Sequence, residues 1–442
     1  MRTQHTLSRR QFLRRATTGT AALTAAPLFV PGHVLGANGA TPPNSRITMA
    51  LIGCGSMGSS DATQHQHTGL VQFVAFCDVD KARRDKKKQE FEKLYAAKAG
   101  KEKFAGIEVC NDFRELIARR DIDAVDIAMP DHWHAIPVIA AAKAGKDIYG
   151  QKPLSLTIRE ARAMVNAVRE NKRVFQTGSQ QRSDRRFRLA SELVRNGYIG
   201  KIKEVYVRVG GPSRPCDLPA EPTPDGLDWN FWLGQAPERP FNQRIHPRAW
   251  RAWREYAGGG TTDWGAHQFD IVQWGWGMDE SGPVEVIPAN DKDRPLLAVR
   301  YASGALVYHV FGPAGESVKW PSPPEGDKNG ITFVGEKGWI EVDRAHLRTF
   351  PESLAEVQFK PGETRLYESK HHYQNFLDCV KSRQKPICDV EIGCRSVTVC
   401  HLINIGHWTG KSFRWDPVKE EIIGEADVAK WVDRERRAPW KI

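Results

Sequence analysis

The sequence of 442 residues is poor in several features, and each shortage excludes a class of protein. A weakly apolar, uncharged stretch near the start, Ala16 to Val30, is too short and too rich in alanine and threonine to span a bilayer well. The eight cysteines are dispersed, without the paired close spacing of a zinc site, so no metal site is predicted. Buried thiols are the expected state, with a single disulfide as the alternative in an oxidising compartment.

Runs of charge are also scarce. Five unopposed arginines in residues 1 to 45 account for five units of the formal charge of +11, which leaves +6 for the remainder. The one basic run, Arg83 to Lys88, is predicted to be the solvated face of a helix. This distribution argues against a nucleic-acid-binding protein.

The N-terminus carries a targeting pattern. Ser8 to Arg14 is a twin-arginine signature, and the uncharged stretch follows it. We therefore predict a signal peptide over residues 1–40, with cleavage among the small residues 37 to 40. This predicts a periplasmic or extracytoplasmic protein that uses the twin-arginine translocase, a route that carries folded proteins with their cofactors inserted. A basic N-terminus without a targeting role is the alternative.

A glycine motif follows the first strongly apolar run, Ile47 to Ile52, which predicts a buried parallel strand. Gly53, Gly55 and Gly58 stand in the pattern G-x-G-x-x-G. The first allows a sharp turn, the second lets the backbone approach a pyrophosphate, and the third lets the following helix pack closely. A glycine-rich turn without a ligand is the alternative interpretation.

The next apolar run, Phe73 to Cys77, is followed by an acid at the spacing that the glycine motif requires. Asp78 lies 20 residues beyond Gly58 and would accept the hydroxyls of an adenosine ribose. A carboxylate there repels a 2′-phosphate, so NAD is predicted and NADP is less favoured. Arg83 and Arg84 lie close enough in sequence to weaken that preference.

Strands and helices alternate through the first half of the chain. Strands are predicted at Val71 to Cys77, Ile107 to Cys110, Ala124 to Ala128, Lys146 to Tyr149 and Val174 to Thr177, with helices such as Ala135 to Ala144 and Ile158 to Asn171. This alternation predicts an α/β protein whose N-terminal Rossmann domain, residues 46–177, has a doubly wound parallel sheet.

The pattern changes after Gly178. A helix is predicted from Arg185 to Asn196, and strand-like runs follow at Lys203 to Val209, Leu296 to Tyr301, Ala305 to Phe311, Ile331 to Val334 and Trp339 to Val342. We predict a C-terminal α+β domain with a mixed or antiparallel sheet over residues 178–390. Residues 391–442 are predicted to form a helix and a tail that pack back on the body.

Three further motifs complete a family resemblance: Asp131 to His134, the pair Lys152-Pro153, and Asp263 to His267. With the glycine motif, they resemble the glucose-fructose oxidoreductase, inositol dehydrogenase and rhizopine-catabolism (Gfo/Idh/MocA) family over nearly the whole predicted mature chain. The resemblance implies that Lys152 is the catalytic lysine and that its peptide bond to Pro153 is cis. It also implies that Asp263 and His267 complete the site from the second domain.

The residues themselves are compatible with this chemistry. Asp263 and His267 are four positions apart, so on a helix their side chains share one face. Oxidation of a carbinol requires its hydroxyl proton to leave, and a histidine of ordinary pKa, about 6.5, can take it while Lys152 polarises the oxygen. An N-cap aspartate and a core histidine are the alternative roles.

The chain departs from the family at position 151, where the usual Glu-Lys-Pro is Gln151-Lys152-Pro153. The change removes a negative charge beside the lysine and should leave its ammonium less stabilised. A less stabilised ammonium would make Lys152 a better proton acceptor. The alternative is that the change at position 151 marks a protein that has lost its activity.

Tryptophan placement suggests the substrate. Seven tryptophans crowd residues 229 to 276, namely Trp229, Trp232, Trp250, Trp253, Trp264, Trp274 and Trp276. Flat aromatic faces suit the stacking of pyranose C–H groups, so a carbohydrate or cyclitol is predicted. A core role is the alternative for each of them, and Trp264 is preferred as a substrate contact because it lies between Asp263 and His267.

The candidate site residues fall into three groups. The predicted catalytic residues are Lys152, His267 and Asp263. The predicted cofactor-binding residues are Gly53, Gly55, Ser56, Met57, Gly58, Asp78, Pro130, His134, Gln151, Lys152 and Arg182. The predicted substrate-binding residues are Lys152, Trp264, Asp263, His267, Tyr256 and His246, with Arg254 as a further polar candidate.

Three functions follow from these patterns. The first is an NAD-dependent oxidoreductase that acts on a hydroxyl of a sugar, cyclitol or glycoside with a tightly bound cofactor. The second is an NAD-dependent glycosidase that works by transient oxidation and elimination. The third is an inactive sugar-binding protein. A homo-oligomer formed through the C-terminal sheet is also expected.

Overall fold

The structure is a computed structural model that describes residues 45–247, 249–290, 294–313, 315, 320 and 329–442. The predicted signal peptide and its cleavage region lie outside these residues, and so does most of the segment 316–328. In the part of the chain so described, no helix combines the length and the apolarity needed to cross a membrane.

The first sheet is the predicted parallel one. Its strands are β1 (Ile47–Ile52), β2 (Val71–Cys77), β3 (Glu108–Cys110), β4 (Ala124–Ile127), β5 (Asp147–Gly150) and β6 (Phe175–Thr177). Their spatial order is β3-β2-β1-β4-β5-β6, and every neighbouring pair is parallel. Because the order reverses between β1 and β4, a crevice opens at their carboxyl ends, where such sheets bind ligands.

Helices cover both faces of this sheet. They are α1 (Ser56–His67), α2 (Lys81–Ala99), α3 (Phe113–Ala118), α4 (Ala135–Lys143) and α5 (Ile158–Glu170). Side chains that accept backbone N–H groups cap three of them, Asp80 at α2, Asp112 at α3 and Thr157 at α5. The apolar residues of α5 recur at helical spacing, and Ala161, Met164 and Val168 are buried against the core.

The second domain contains the predicted mixed sheet. Its helices are α6 (Arg185–Arg195), α7 (Trp229–Leu233), α8 (Gly260–Asp263) and α9 (Gly265–Trp276), and its first strands are β7 (Ile202–Arg208), β8 (Glu285–Ile287), β9 (Ala298–Arg300) and β10 (Leu306–Val310). The sheet continues with β11 (Gly330–Gly335), β12 (Trp339–Val342), β13 (Leu347–Phe350), β14 (Phe413–Asp416) and β15 (Glu421–Ile423). The order is β13-β12-β11-β7-β10-β9-β8-β14-β15, in which only the β10–β7 pair is parallel among the pairings described.

Four strands of this sheet were not predicted: β8, β13, β14 and β15. Each has only three or four residues. Alternation over so few positions cannot be distinguished from a loop, so the pairing partners decide their structure.

The C-terminal part of the chain returns to the first domain. It contains α10 (His372–Ser382), α11 (Val390–Thr409) and the short α12 (Ala426–Ala429). Just before α11, Cys388 O accepts the N–H of Thr177 at 2.8 Å, which joins the segment to β6. In the tail, the Trp440 ring packs edge-on against Trp133 with 4.8 Å between centroids. The C-terminal part of the chain therefore contacts the first domain at two places.

Candidate active site

A cavity of about 1010 Å³ opens at the carboxyl ends of the parallel strands. The glycine loop and Asp78 line one end, and Lys152, Asp263 and His267 line the other. The residues come from both domains, so one space holds the predicted nucleotide site together with the predicted catalytic groups.

The glycine loop leaves room for a pyrophosphate. Gly53 has a φ of 98°, and a Cβ there would lie 2.5 Å from Ala128 O, so no other residue fits. A Cβ on Gly58 would lie 2.0 Å from Gly53 O, because α1 packs directly on the loop. The N-terminus of α1 has no side-chain cap and faces the cavity. Its free N–H groups and the helix dipole suit an anion, so the residues present fit NAD.

Asp78 lies at the end of β2, as predicted, and also braces the glycine loop. Its carboxylate oxygens accept the N–H of Cys54 at 2.7 Å and of Asp80 at 2.9 Å. Burial raises the pKa of Asp78, and these two backbone donors oppose the rise. Each oxygen keeps a lone pair for a ribose hydroxyl.

The two neighbouring arginines differ in position. Arg84 donates to Asp78 O at 2.6 Å and to Asn111 Oδ1 at 3.1 Å, and it does not line the cavity. Arg83 does line it, with a guanidinium nitrogen 3.4 Å from the place where a Cβ on Gly55 would lie. That position is beside the glycine loop of residues 53 to 58, which we call the cradle because it would hold the pyrophosphate. Arg83 is already paired with Asp80 at 3.3 Å.

At the other end of the cavity, Lys152 is held against Asp263. Its Nζ donates to Asp263 Oδ1 at 2.6 Å and to the backbone oxygen of the same residue at 2.9 Å, and the Lys152-Pro153 peptide is cis. Burial raises the pKa of Asp263, but the charges of Lys152 and Arg251 outweigh it and hold that pKa below its usual value. The Lys152 ammonium therefore has two oxygen acceptors on Asp263, and the expectation drawn from Gln151 stays a prediction.

His267 is buried beside this pair. Burial, together with the charges of Lys152 and Arg344, lowers its pKa well below the ordinary value. The imidazole is therefore neutral at physiological pH and able to accept a proton, although it is a weaker base than predicted. Its Nδ1 has no hydrogen-bond partner within the described residues. The helix that was predicted to carry both Asp263 and His267 is interrupted at Trp264, yet both side chains reach the cavity.

Two functional candidates were missed. Asp131 is buried in the cavity wall, and burial raises its pKa to about 7 while Arg251 and Lys152 oppose the rise. Arg251 pairs with Asp263 Oδ1 at 3.2 Å. Asp131 follows β4 at the carboxyl edge of the sheet, a position that could have identified it. Nothing in the sequence pattern singles out Arg251.

Four predicted ligand-binding residues lie outside the cavity lining, namely Gly58, Arg182, Tyr256 and His134. Gly58 keeps its predicted packing role, and the roles of the other three are corrected. Arg182 is buried and paired with Asp270 at 2.8 Å and Asp279 at 2.6 Å, so its charge holds the second domain together. Tyr256 is buried in an aromatic cluster. His134 contacts Met129 O and Pro153 O at 2.7 Å each, so it holds the two loops that border the cavity.

The remaining predicted residues are placed as follows. Gly53, Gly55, Ser56, Met57, Asp78, Pro130, Gln151, Lys152, Asp263, Trp264, His267 and His246 line the cavity. His246 lies 3.5 Å from Asp80, at the adenosine end rather than at the predicted substrate end. Arg254 packs between the rings of Trp408 and Trp431 and does not line the cavity.

Most of the clustered tryptophans belong to the core. Trp229 and Trp253 are buried in the aromatic cluster of residues 229 to 257, and Trp274 is buried in the core of the second domain. Only Trp232, Trp250 and Trp264 of the seven line the cavity. The substrate hypothesis therefore keeps Trp250 and Trp264, which lie near Arg251 and His267.

Comparison with known proteins agrees with the two domains described above. The model of the NAD-binding Rossmann-fold domain of the Gfo/Idh/MocA oxidoreductases matches residues 47–179, and the model of their C-terminal alpha/beta domain matches 213–308 and 329–442. Myo-inositol 2-dehydrogenase of Thermotoga maritima is 27% identical over 364 residues, which cover 78% of this chain and 92% of that protein.

Two further similarities are more limited. Alpha-N-acetylgalactosaminidase of Shewanella oneidensis is 26% identical over 211 residues, or 45% of each chain. The WlbA dehydrogenase from Bordetella pertussis, solved with NADH and UDP-GlcNAcA, superposes with a TM-score of 0.56 at 20% identity over 83% of this chain and 98% of that one. At this low identity, the similarity to the WlbA dehydrogenase bears on the fold alone.

Proposed function

The chain belongs to the Gfo/Idh/MocA family of oxidoreductases, and from that premise we propose that it oxidises a hydroxyl of a sugar, cyclitol or glycoside with an NAD that stays bound. The observation that carries the proposal is the single cavity lined by the glycine cradle at one end and by Lys152, Asp263 and His267 at the other. A hydroxyl carbon at that second end would lie between the cofactor and the proton-transfer groups.

The proton chemistry follows from the charges of these residues. NAD bound in the cradle would accept a hydride from the substrate carbon. Lys152 has an N–H left to donate to the substrate oxygen, since its other contacts go to Asp263. His267, neutral and buried, takes the hydroxyl proton as the carbonyl forms. Asp263 holds the lysine in place for both the oxidation and its reversal.

Retention of the cofactor is supported by the segment 212–247, which contacts the loop after β2 beside Asp78. Its Asp228 N–H donates to Val79 O at 3.0 Å, and Gly226 O accepts the N–H of Lys81 at 3.0 Å. Asn111 Nδ2 adds a bond to Asp228 Oδ2 at 2.9 Å. Side chains of the same segment line the cavity, so release of NAD requires these contacts to open. Redox-neutral chemistry with a bound cofactor suits a protein that works where free nicotinamide is absent.

The test is to purify the folded protein and record the absorbance of bound NADH while a panel of sugars, cyclitols and glycosides is added. Reduction of the bound cofactor by one class, with a ketone as product, supports the proposal. Saturable binding without any absorbance change contradicts it and points to a sugar-binding protein.

A glycosidase remains the second candidate, because of the similarity to alpha-N-acetylgalactosaminidase over 45% of the chain. In that reaction, oxidation at a ring carbon acidifies the neighbouring C–H and allows the leaving group to depart. The same panel distinguishes the two functions, since a glycosidase releases free aglycone without net ketone.

We also propose export by the twin-arginine route. Arg9 and Arg10, followed by the uncharged stretch, support it. Replacing both by lysine should trap the precursor in the cytoplasm, as fractionation would show. Normal export of that variant would contradict the proposal.

A homo-oligomer through the C-terminal sheet is proposed as well. Phe350 on edge strand β13 is 55% exposed and Ile423 on edge strand β15 is 41% exposed, so both edges present apolar side chains. Light scattering should give a multiple of the monomer mass, and a monomer at micromolar concentration would contradict it.

A further inference from the structure

A buried carboxylate lies directly behind the cavity wall at the Lys152 end. Asp61, in α1, has no exposed surface. Its Oδ2 accepts a hydrogen bond from Gln151 Nε2 at 2.8 Å, and its Oδ1 accepts one from the Tyr373 hydroxyl at 2.8 Å. Both donors line the cavity, and they come from the end of β5 and from α10. Three separate parts of the chain thus meet at one carboxylate.

No lysine or arginine among the described residues forms an ion pair with Asp61. Burial raises the pKa of Asp61 to about 7, while the bonds from Tyr373 and Gln151 and the charge of Lys152 oppose the rise. Two donors aimed at its two oxygens suit the ionised form.

The other titratable groups around Asp61 do not supply a charge near neutral pH. Burial lowers the pKa of His65, on the same helix, to about 3. Burial raises the pKa of Asp126, on β4, well above its ordinary value, and it raises the pKa of Tyr149, on β5, and of Tyr373 as well. Lys152 is therefore the charged neighbour of Asp61, reached through Gln151.

Gln151 is fixed in one orientation between these two groups. A Cβ on Gly178 would lie 2.8 Å from its amide nitrogen, so the amide packs flat against that glycine. Its Oε1 accepts the backbone N–H of Lys152 at 3.3 Å. A glutamate here would place a second carboxylate 2.8 Å from Asp61, and two buried carboxylates that close cannot both stay ionised.

We propose that Asp61 is a positioning residue for Lys152. Acting through Gln151, and with Tyr373 as its second donor, it carries the negative charge behind the lysine, and residue 151 is an amide because it must donate to that charge. The inference rests on the proposed function, since the position of Lys152 matters only to a site that turns over a hydroxyl substrate. Activity should rise with pH as Asp61 loses its proton.

The kinetic test exchanges the carboxylate of Asp61 with the amide of Gln151. Asp61→Asn and Gln151→Glu should each lower kcat by about tenfold or more with little change in KM. The double variant Asp61→Asn/Gln151→Glu should recover to within about threefold of wild type, because the carboxylate and the amide trade places. Asp126→Asn, a buried carboxylate without a cavity-lining partner, is the matched control and should keep normal kinetics.

A double variant no more active than the weaker single variant would overturn the proposal. Asp61→Asn should also change the acid limb of the kcat profile near pH 7, where Asp131, whose pKa is also raised to about 7, is the other cavity carboxyl that titrates. An acid limb unchanged in the variant would overturn the proposal as well.

A second measurement needs no turnover, so it separates failure of this proposal from failure of the proposed function. In difference infrared spectra, protonated carboxyl bands should disappear as the pH rises through about 7, and the band of Asp61 should be missing in Asp61→Asn while that of Asp131, whose pKa is also about 7, remains. Tyr373→Phe, which removes one donor and no charge, should move the transition to higher pH. A spectrum unchanged by pH or by either variant would refute an ionising Asp61, whether or not any sugar is oxidised.

Discussion

Replacing Lys152 by methionine should remove most of the turnover while leaving the fold and the cofactor site intact. The Lys152 side chain is 13% exposed and that of Asp263 is 24% exposed. After the substitution, Asp263 still pairs with Arg251 at 3.2 Å, so no isolated carboxylate remains. Because Arg251 keeps the carboxylate paired, we expect a loss of unfolding free energy of about 1 to 3 kcal/mol, between the ranges for exposed and for buried ion pairs.

The expected effect on the reaction is much larger. The variant has no ammonium to donate to the substrate oxygen, and groups that take part in proton transfer contribute about 10² to 10⁴ in rate. At about 1.4 kcal/mol for each tenfold, this corresponds to roughly 3 to 6 kcal/mol of transition-state stabilisation. NAD affinity should stay within about threefold, because the cradle and Asp78 lie at the opposite end of the cavity.

The assay combines three measurements: the rate at which bound NAD is reduced at saturating substrate, calorimetry of NAD binding, and thermal unfolding. Lys146→Met is the matched control, since Lys146 is also buried, donates to Ile122 O at 2.8 Å and does not line the cavity. Turnover of Lys152→Met within tenfold of wild type would refute the mechanism. A larger loss of NAD affinity than of turnover would make Lys152 a cofactor-binding residue instead.

Three further predictions test other parts of the site. His267→Ala should lower turnover by about 10² to 10⁴ without changing NAD affinity, and near-normal turnover would return this residue to a core role. Asp78→Ala should weaken NAD binding by about 1 to 3 kcal/mol in calorimetry, and tighter binding of NADP than of NAD by the wild type would contradict the assignment of the acid. Arg182→Met should lower the unfolding free energy by about 3 to 5 kcal/mol, because Asp270 is left buried without its partner, while the folded fraction binds NAD normally. A stable Arg182→Met variant with weak NAD binding would restore the earlier assignment.

Local patterns were sufficient to predict the first domain. Its strands are apolar runs and its turn positions carry glycine, so β1, β2 and the cradle at Gly53 follow from neighbours in the chain. The pair Lys152-Pro153 and the segment Asp263 to His267 were likewise recognisable as motifs. Both reach the same cavity.

Residues whose environment is built from distant segments could not be predicted. Arg182 meets Asp270 and Asp279 across 88 and 97 positions, and no local pattern reveals that its charge is already paired. The lowered pKa of His267 depends on burial by the second domain. Asp61 meets Tyr373 across 312 positions, so its role emerges only from the fold.

The central claim is that a substrate hydroxyl carbon gives its hydride to NAD held in this cavity. The most direct measurement uses the sugar or cyclitol identified by the absorbance panel, deuterated at the carbon that becomes the ketone. Mass spectrometry of the cofactor released by denaturing the protein should show one deuterium in the NADH, and Lys152→Met should show almost none in the same time. Unlabelled cofactor from wild-type protein that has converted the substrate would contradict the account.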